Sequence, residues 1–197
     1  QAWFKKHQTQ TAMRRIGGIE TKVNDVLCME DAWHYRNKAQ IPFSVSENGV
    51  ISGFYRIHSN TIINMEDCAI QHPIINRILQ CVKHELKSQA FSAPLRHLLI
   101  KYAISSDEAM VVFIMRQRCK EMEAHMESVL PSQIPQVKSI LCNINERTDN
   151  VILGEKEILL YGKPYISDSI HGLHFQISMK SFYQVNPLQT QVLYETA

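Results

Sequence analysis

No two of the five cysteines in these 197 residues stand at CxxC spacing: Cys28, Cys68, Cys81, Cys119 and Cys142 are odd in number and far apart. That excludes a disulfide framework and a self-contained zinc site. It leaves Cys81, Cys119 and Cys142, each inside or beside an apolar segment, as small buried hydrophobes. No apolar run approaches the roughly 20 residues needed to span a bilayer. The basic start, Gln1 to Gly18, lacks the apolar core of a secretory signal, so the expected setting is cytoplasmic, without a membrane partner. Neither an internal repeat nor a low-complexity linker is evident. A dominant charge is missing too: Lys and Arg number 21 against 19 Asp and Glu, a net charge of +2 with a pI near 8.3. That balance permits a polyanionic partner without demanding one. What remains is a 45% hydrophobic, 20% charged chain, ordinary globular composition with enough residues for one good-sized core.

The pattern of the chain predicts an α+β fold. Trp3 to Ile16 reads as a basic amphipathic helix ended by Gly17-Gly18. Three antiparallel strands are expected from Trp33 to Val45, Val50 to Ile57 and Thr61 to Asn64, with Asn48-Gly49 as a tight-turn signal between the first two. Pro73 to Leu86 carries Ile74, Ile75, Ile78, Leu79, Val82 and Leu86 at helical spacing and should cover the sheet. Leu95 to Ile104 and Met110 to Met115 form a second hairpin candidate around Ser105-Ser106-Asp107-Glu108. A charged helix is expected from Cys119 to Leu130, closed by Pro131, then a strand from Val137 to Ile144 and short strands from Val151 to Phe175. Such groupings indicate a mostly antiparallel sheet with covering helices. At the end, Pro187 is placed to open a helix, and Leu188, Val192 and Leu193 give it an apolar side. That helix has nothing after it to pack against before Ala197, so the chain reads as a piece of a longer protein. Apolar surface left at its ends would favour self-association.

Two stretches carry candidate chemistry. In His34-Tyr35-Arg36-Asn37-Lys38-Ala39-Gln40, strand alternation puts Tyr35, Asn37 and Ala39 on one face and His34, Arg36, Lys38 and Gln40 on the other. Arg and Lys suit phosphate oxygens and amides suit splayed bases, so this face is either an RNA surface or a solvated strand face. Lys101, Arg116, Arg118 and Arg96-His97 add basic groups near the second hairpin, each expected on its own to be surface solvation and not a contact. Cys68 falls where a strand ends and a helix approaches, a setting that can hold a thiolate or a structural cysteine.

These residues reach a family resemblance. Tyr35-Arg36-Asn37-Lys38-Ala39-Gln40, Met65-Glu66-Asp67-Cys68, Leu95-Arg96-His97-Leu98, Asn143-Ile144-Asn145, Asn150-Val151-Ile152-Leu153-Gly154 and Ser181-Phe182-Tyr183-Gln184-Val185-Asn186-Pro187 occur in order over nearly the whole chain. Together they resemble the successive blocks of the S-adenosylmethionine-dependent RNA uracil-C5 methyltransferases, in particular the bacterial 23S ribosomal RNA branch. The transfer RNA branch and a non-catalytic RNA-binding or cluster-bearing module are the alternatives.

The resemblance implies a division of the chain. Residues 1–20 would follow a cluster segment, 21–178 would be a central α+β domain, and 179–197 would begin a Rossmann-like methyltransferase domain. It implies that Gln184 approaches S-adenosylmethionine, with Phe182 beside it at an aromatic position, and with Tyr183 and Asn186 as weaker candidates. Cys68 would be one ligand of a [4Fe-4S] cluster in the full-length protein, with no cluster expected on this piece alone. Arg36, Lys38, Gln40 and Arg96 would contact RNA. The family's nucleophilic cysteine, general base and glycine-rich cofactor loop fall outside these 197 residues, so the piece is expected to be inactive by itself.

Overall fold

The structure, a computed structural model, describes residues 1–46, 49–89, 91 and 95–197. The chain divides into two compact units, Gln1–Ala32 with Leu188–Ala197, and Trp33–Pro187. In the first, α1 runs from Ala2 to Arg15 and α4 from Pro187 to Thr196. The first helix forms as expected and ends where Gly18 adopts φ 64°, with the Ile19 N–H returning to the Met13 carbonyl at 3.0 Å. No residue of α1 is buried, so the amphipathic pattern reports no core contact inside this unit. Gln10 ties α1 to the chain that follows: its Oε1 accepts the Val23 N–H at 2.9 Å, and Lys6 pairs with Asp25 at 2.7 Å.

The second unit is built on one sheet. Its strands are β1 Lys38–Ser46, β2 Gly49–Tyr55, β3 Ile62–Asn64, β4 Leu95–Ala103, β5 Glu108–Met115, β6 Val137–Ile144 and β7 Lys156–Gly162. Their order across the sheet is β3-β2-β1-β4-β5-β6-β7, all pairs antiparallel except β5–β6. That parallel pair exists because α3, Lys120–Gln133, supplies the crossover between the two strands. The expected α+β class with a mostly antiparallel sheet is what the chain forms. The turn signal at Asn48 lies outside the described residues.

Burial follows from what covers each face. α2, Pro73–Ser88, buries Ile74, Ile75, Ile78, Leu79, Val82 and Leu86 and packs with α3 over one face. On the other face lies a separate hairpin, β8 Tyr165–Ile170 and β9 Leu173–Ser178, whose Ile166 and Ile177 meet Leu99, Ala103, Met110, Val112 and Ile114. Because both faces are covered, β4 and β5 are buried almost continuously, with no alternation to show which side is in.

Four expectations need correction. The first strand starts at Lys38, not Trp33, since His34 takes φ 54° and turns the chain before the ladder begins. The helix expected to close at Pro131 continues through it to Gln133, and Leu130 still accepts the Ile134 N–H at 2.9 Å. Residues 151–154 are not strand. Of the three cysteines expected in the core only Cys142 is buried, where desolvation pushes its thiol up to about 12; Cys81 and Cys119 are half-buried against the core.

Phe113 sits at the centre of this arrangement, fully buried and flanked by Leu98 and Cys142. Phe113→Ala should lower the unfolding free energy by about 3–5 kcal/mol, read as a drop in urea midpoint at unchanged slope.

Candidate functional site

At the head of β1 the chain runs beside the loop before α2. The N–H groups of His34 and Arg36 donate to the carbonyls of Ala69 and Ile70 at 2.8 and 2.9 Å, and the His72 N–H returns to the Arg36 carbonyl at 2.9 Å. Cys68 opens that loop. Its carbonyl accepts from the Gln71 N–H and from Asn76 Nδ2, both at 3.1 Å, while its thiol is free and half-buried. Among the described residues no three His, Cys, Asp or Glu side chains gather into a metal-binding group. An iron-sulfur cluster with four cysteine ligands does not fit the donors present.

One step along, Asn37 is buried and joins two blocks far apart in sequence. Its N–H donates to the Val185 carbonyl at 3.1 Å, its Nδ2 to the Gln184 carbonyl at 3.1 Å, and its own carbonyl accepts from the Tyr102 N–H at 2.8 Å. The FxQVNP segment is thereby pinned against the head of β1. Lys101, the cross-strand partner of Lys38 and only 4% exposed, completes the attachment: its Nζ donates to the Ser178 and Ser181 carbonyls, each at 2.7 Å. Burial, with Lys38 adding repulsion, brings the Lys101 ammonium down to about 8. A neutral amine still has two hydrogens, enough for both carbonyls.

Asp168 makes a third attachment. Its Oδ2 accepts the Tyr183 hydroxyl at 3.0 Å, and its Oδ1 accepts the N–H groups of Ser105 and Ser169, each at 3.0 Å, together with the Ser105 hydroxyl. The Tyr183 ring also tilts against Phe175. Between these fixed points Phe182 is 84% exposed, and the half-buried Gln184 amide makes no hydrogen bond to any described residue. A ring in solvent next to an unpaired amide suits one edge of a planar ligand.

The alternation predicted for the basic strand holds from residue 36 onward. Asn37 and Ala39 are buried, and Arg36, Lys38 and Gln40 are half-buried. Burial and the neighbouring Arg36 lower the Lys38 ammonium. Arg36 and Lys38 therefore flank the residue that holds the Gln184 segment. Arg96 is elsewhere. It is the extra residue of a β-bulge between Leu95 and His97, and its guanidinium donates to the carbonyls of Asn145, Arg147 and Asp149 at 3.1, 2.6 and 3.4 Å.

Asn143 and Asn145, noted only as sequence blocks, brace the same region. Asn143 exchanges hydrogen bonds with Gly154, and Asn145 Nδ2 holds the carbonyls of Val151 and Ile152. A Cβ on Gly154 would meet the Ile144 carbonyl oxygen at 2.0 Å, so that block needs its glycine. Asp168 was not singled out from the sequence, and Lys101, expected there to be a solvated basic group near the second hairpin, is instead buried on two carbonyls. The signal for Lys101 was a lone cation inside the apolar run Leu98-Leu99-Ile100-Lys101-Tyr102.

No family model matches the chain. Curated relatives do, and two of them show the extent of the likeness. A protein of Bacillus cereus named an uncharacterized RNA methyltransferase is 41% identical over 200 residues, 97% of this chain and 44% of its own length. One of Halalkalibacterium halodurans with the same description is 39% identical over 203 residues, 98% of this chain and 44% of its own. The chain is similar to RNA methyltransferases along nearly its whole length. It spans a little under half the length of these relatives. Among solved structures, the Pyrococcus abyssi tRNA (uracil-54, C5)-methyltransferase in complex with S-adenosyl-L-homocysteine matches all of this chain and 47% of its own. The TM-score is 0.71 at 17% identity, a likeness of fold.

The buried lysine gives a test by pH. Below about pH 8 Lys101 is charged in both folded and unfolded chains, and its burial opposes folding. From about pH 8 to 10 the unfolded chain still binds the proton and the folded one releases it, so stability rises with pH, by at most about 1.4 kcal/mol per unit. Lys101→Met leaves the Ser178 and Ser181 carbonyls without their donor, so it should lower the stability above about pH 8 and flatten that rise, measured as urea midpoints between pH 7 and 10.

Proposed function

We propose that this chain is part of an S-adenosylmethionine-dependent RNA methyltransferase that methylates carbon 5 of a uridine in 23S ribosomal RNA. Its own share is to grip the RNA and present the base. The observation that carries the reading is about 40% identity over 97–98% of the chain to two proteins named RNA methyltransferases. The geometry agrees with it. Arg36 and Lys38 are set beside a pinned segment that leaves an aromatic ring and an amide open, an arrangement suited to phosphate on one side and a flipped base or cofactor on the other. In this reading Gln184 holds a polar edge of S-adenosylmethionine, and Phe182 packs against the base or the cofactor. Residues 21–178 serve as a central domain, and 179–197 lead into the catalytic domain of the full-length protein.

Gln184 and Phe182 supply one side of a cofactor site, and the remainder would come from residues beyond this chain. The donors present do not support a cluster, so no role is assigned to one, although Cys68 remains the candidate ligand should the full-length protein bring three more cysteines. The fold likeness to a transfer RNA enzyme does not favour transfer RNA as substrate, since 17% identity carries fold alone.

The test is transfer of labelled methyl groups by the full-length protein to ribosomal and transfer RNA, followed by mapping of the modified base. Label at carbon 5 of a uridine in 23S RNA is expected. Label confined to transfer RNA moves the reading to that branch, and none in either leaves a non-catalytic module. In the same protein Gln184→Ala should weaken cofactor affinity about tenfold with RNA affinity retained. Arg36→Ala with Lys38→Ala should weaken RNA binding and reduce its salt dependence by about two units.

A further inference from the structure

β1 changes partners halfway along. It pairs with β4 from Lys38 to Pro42 and with β2 from Phe43 onward, and Pro42, having no N–H, marks the switch. Past that point β1 and β4 separate, and the bulge at Arg96 keeps β4 from following. The gap is a cleft of about 720 Å³, large enough for a nucleotide. One wall is the 148–152 loop, held by Arg96, by Asn145 and by the Arg147–Asp149 ion pair, so it is fixed before any ligand arrives.

The lining has unused recognition groups. Among the described residues the guanidinium of Arg116 and the side-chain amides of Asn60 and Asn150 make no hydrogen bond, and the Tyr55 ring is 48% exposed. His97 lines the cleft nine-tenths buried, and its Nδ1 has no hydrogen-bond partner. Burial and Arg96 lower its imidazole, so the ring is neutral at pH 7 and offers one donor and one acceptor. Asp149, the acidic group in the lining, is neutralised by Arg147. A free cation, unpaired amides and an open aromatic ring together match one splayed nucleotide: phosphate on Arg116, base edge on the amides, base face on Tyr55.

We propose that this cleft binds an unpaired nucleotide of the RNA substrate, away from the base presented at Phe182 and Gln184. The proposal rests on the RNA reading above. The test uses the full-length protein with 4-thiouridine-substituted 23S ribosomal RNA, photo-crosslinked and mapped by mass spectrometry, beside affinity measurements on variants. A crosslink to the peptide carrying Tyr55 or to that carrying residues 148–152 is expected. Tyr55→Ala should weaken RNA binding at least about fivefold, and Arg116→Ala should lower the salt slope by about one unit. Both side chains are exposed, so circular dichroism should be unchanged. If neither peptide crosslinks and both variants bind RNA as wild type, while Arg36→Ala with Lys38→Ala still weakens binding, the cleft proposal fails and the RNA reading stands. If the unaltered protein does not retain RNA at all, the reading beneath it fails as well.

Discussion

The hydrogen bonds of Asn37 are the constraint on which the candidate site depends. A buried amide and its own backbone reach residues 184 and 185 at one end and Tyr102 at the other, so the head of β1, the end of β4 and the segment after β9 are fixed in one place. Each bond contributes only about 0.5–1.5 kcal/mol net, but stranding a buried amide costs about 1–3 kcal/mol. The asymmetry matters more than the gain. Displacing the Gln184 segment would strand the Asn37 side chain, the Lys101 amine and one oxygen of Asp168 together. The segment is held by the cost of leaving three buried polar groups without partners, which lets the side chains of Phe182 and Gln184 stay open without loosening the backbone that carries them.

This arrangement explains which parts of the chain were legible. The α2 stripe and the β4–β5 hairpin could be read because their apolar spacing is local and their cover is complete. Arg36, Lys38 and Gln40 kept the parity that alternation predicted because β1 is covered on its Ala39 side by α2. The turn at His34 was illegible: a left-handed backbone is uncommon outside glycine, and its reason, parallel contact with 69–72, lies some 35 residues on. Pro131 misled for a related reason. Proline removes one backbone donor, but the packed Met122, Met126 and Leu130 keep the helix going past it.

The site residues divide in the same way. Gln184 and Phe182 could be named from a motif, whereas Lys101 and Asp168 could not, because a buried charge declares its purpose only through its partners. Arg96 shows the opposite case. A basic residue in a polar block suggested an RNA contact, yet the bulge turns its guanidinium onto three loop carbonyls. Sequence gives the charge of an arginine but not whether protein oxygens have already claimed its five donors.

That distinction also separates the two ends of β1. Near Asn37 the polar groups of sheet and segment satisfy one another, and what stays open is one ring and one amide. Near Pro42 the strands part, the loop wall is satisfied by Arg96 and Asn145, and the groups facing the gap are left over. A proline that interrupts pairing on one side and a bulge that interrupts it on the other produce an opening with rigid walls, since neither strand can close it without losing pairs made elsewhere. Rigid walls with unpaired donors and acceptors lower the ordering cost of a ligand, which is the physical ground for assigning recognition there and not to the exposed Ile63 of β3 at the sheet edge.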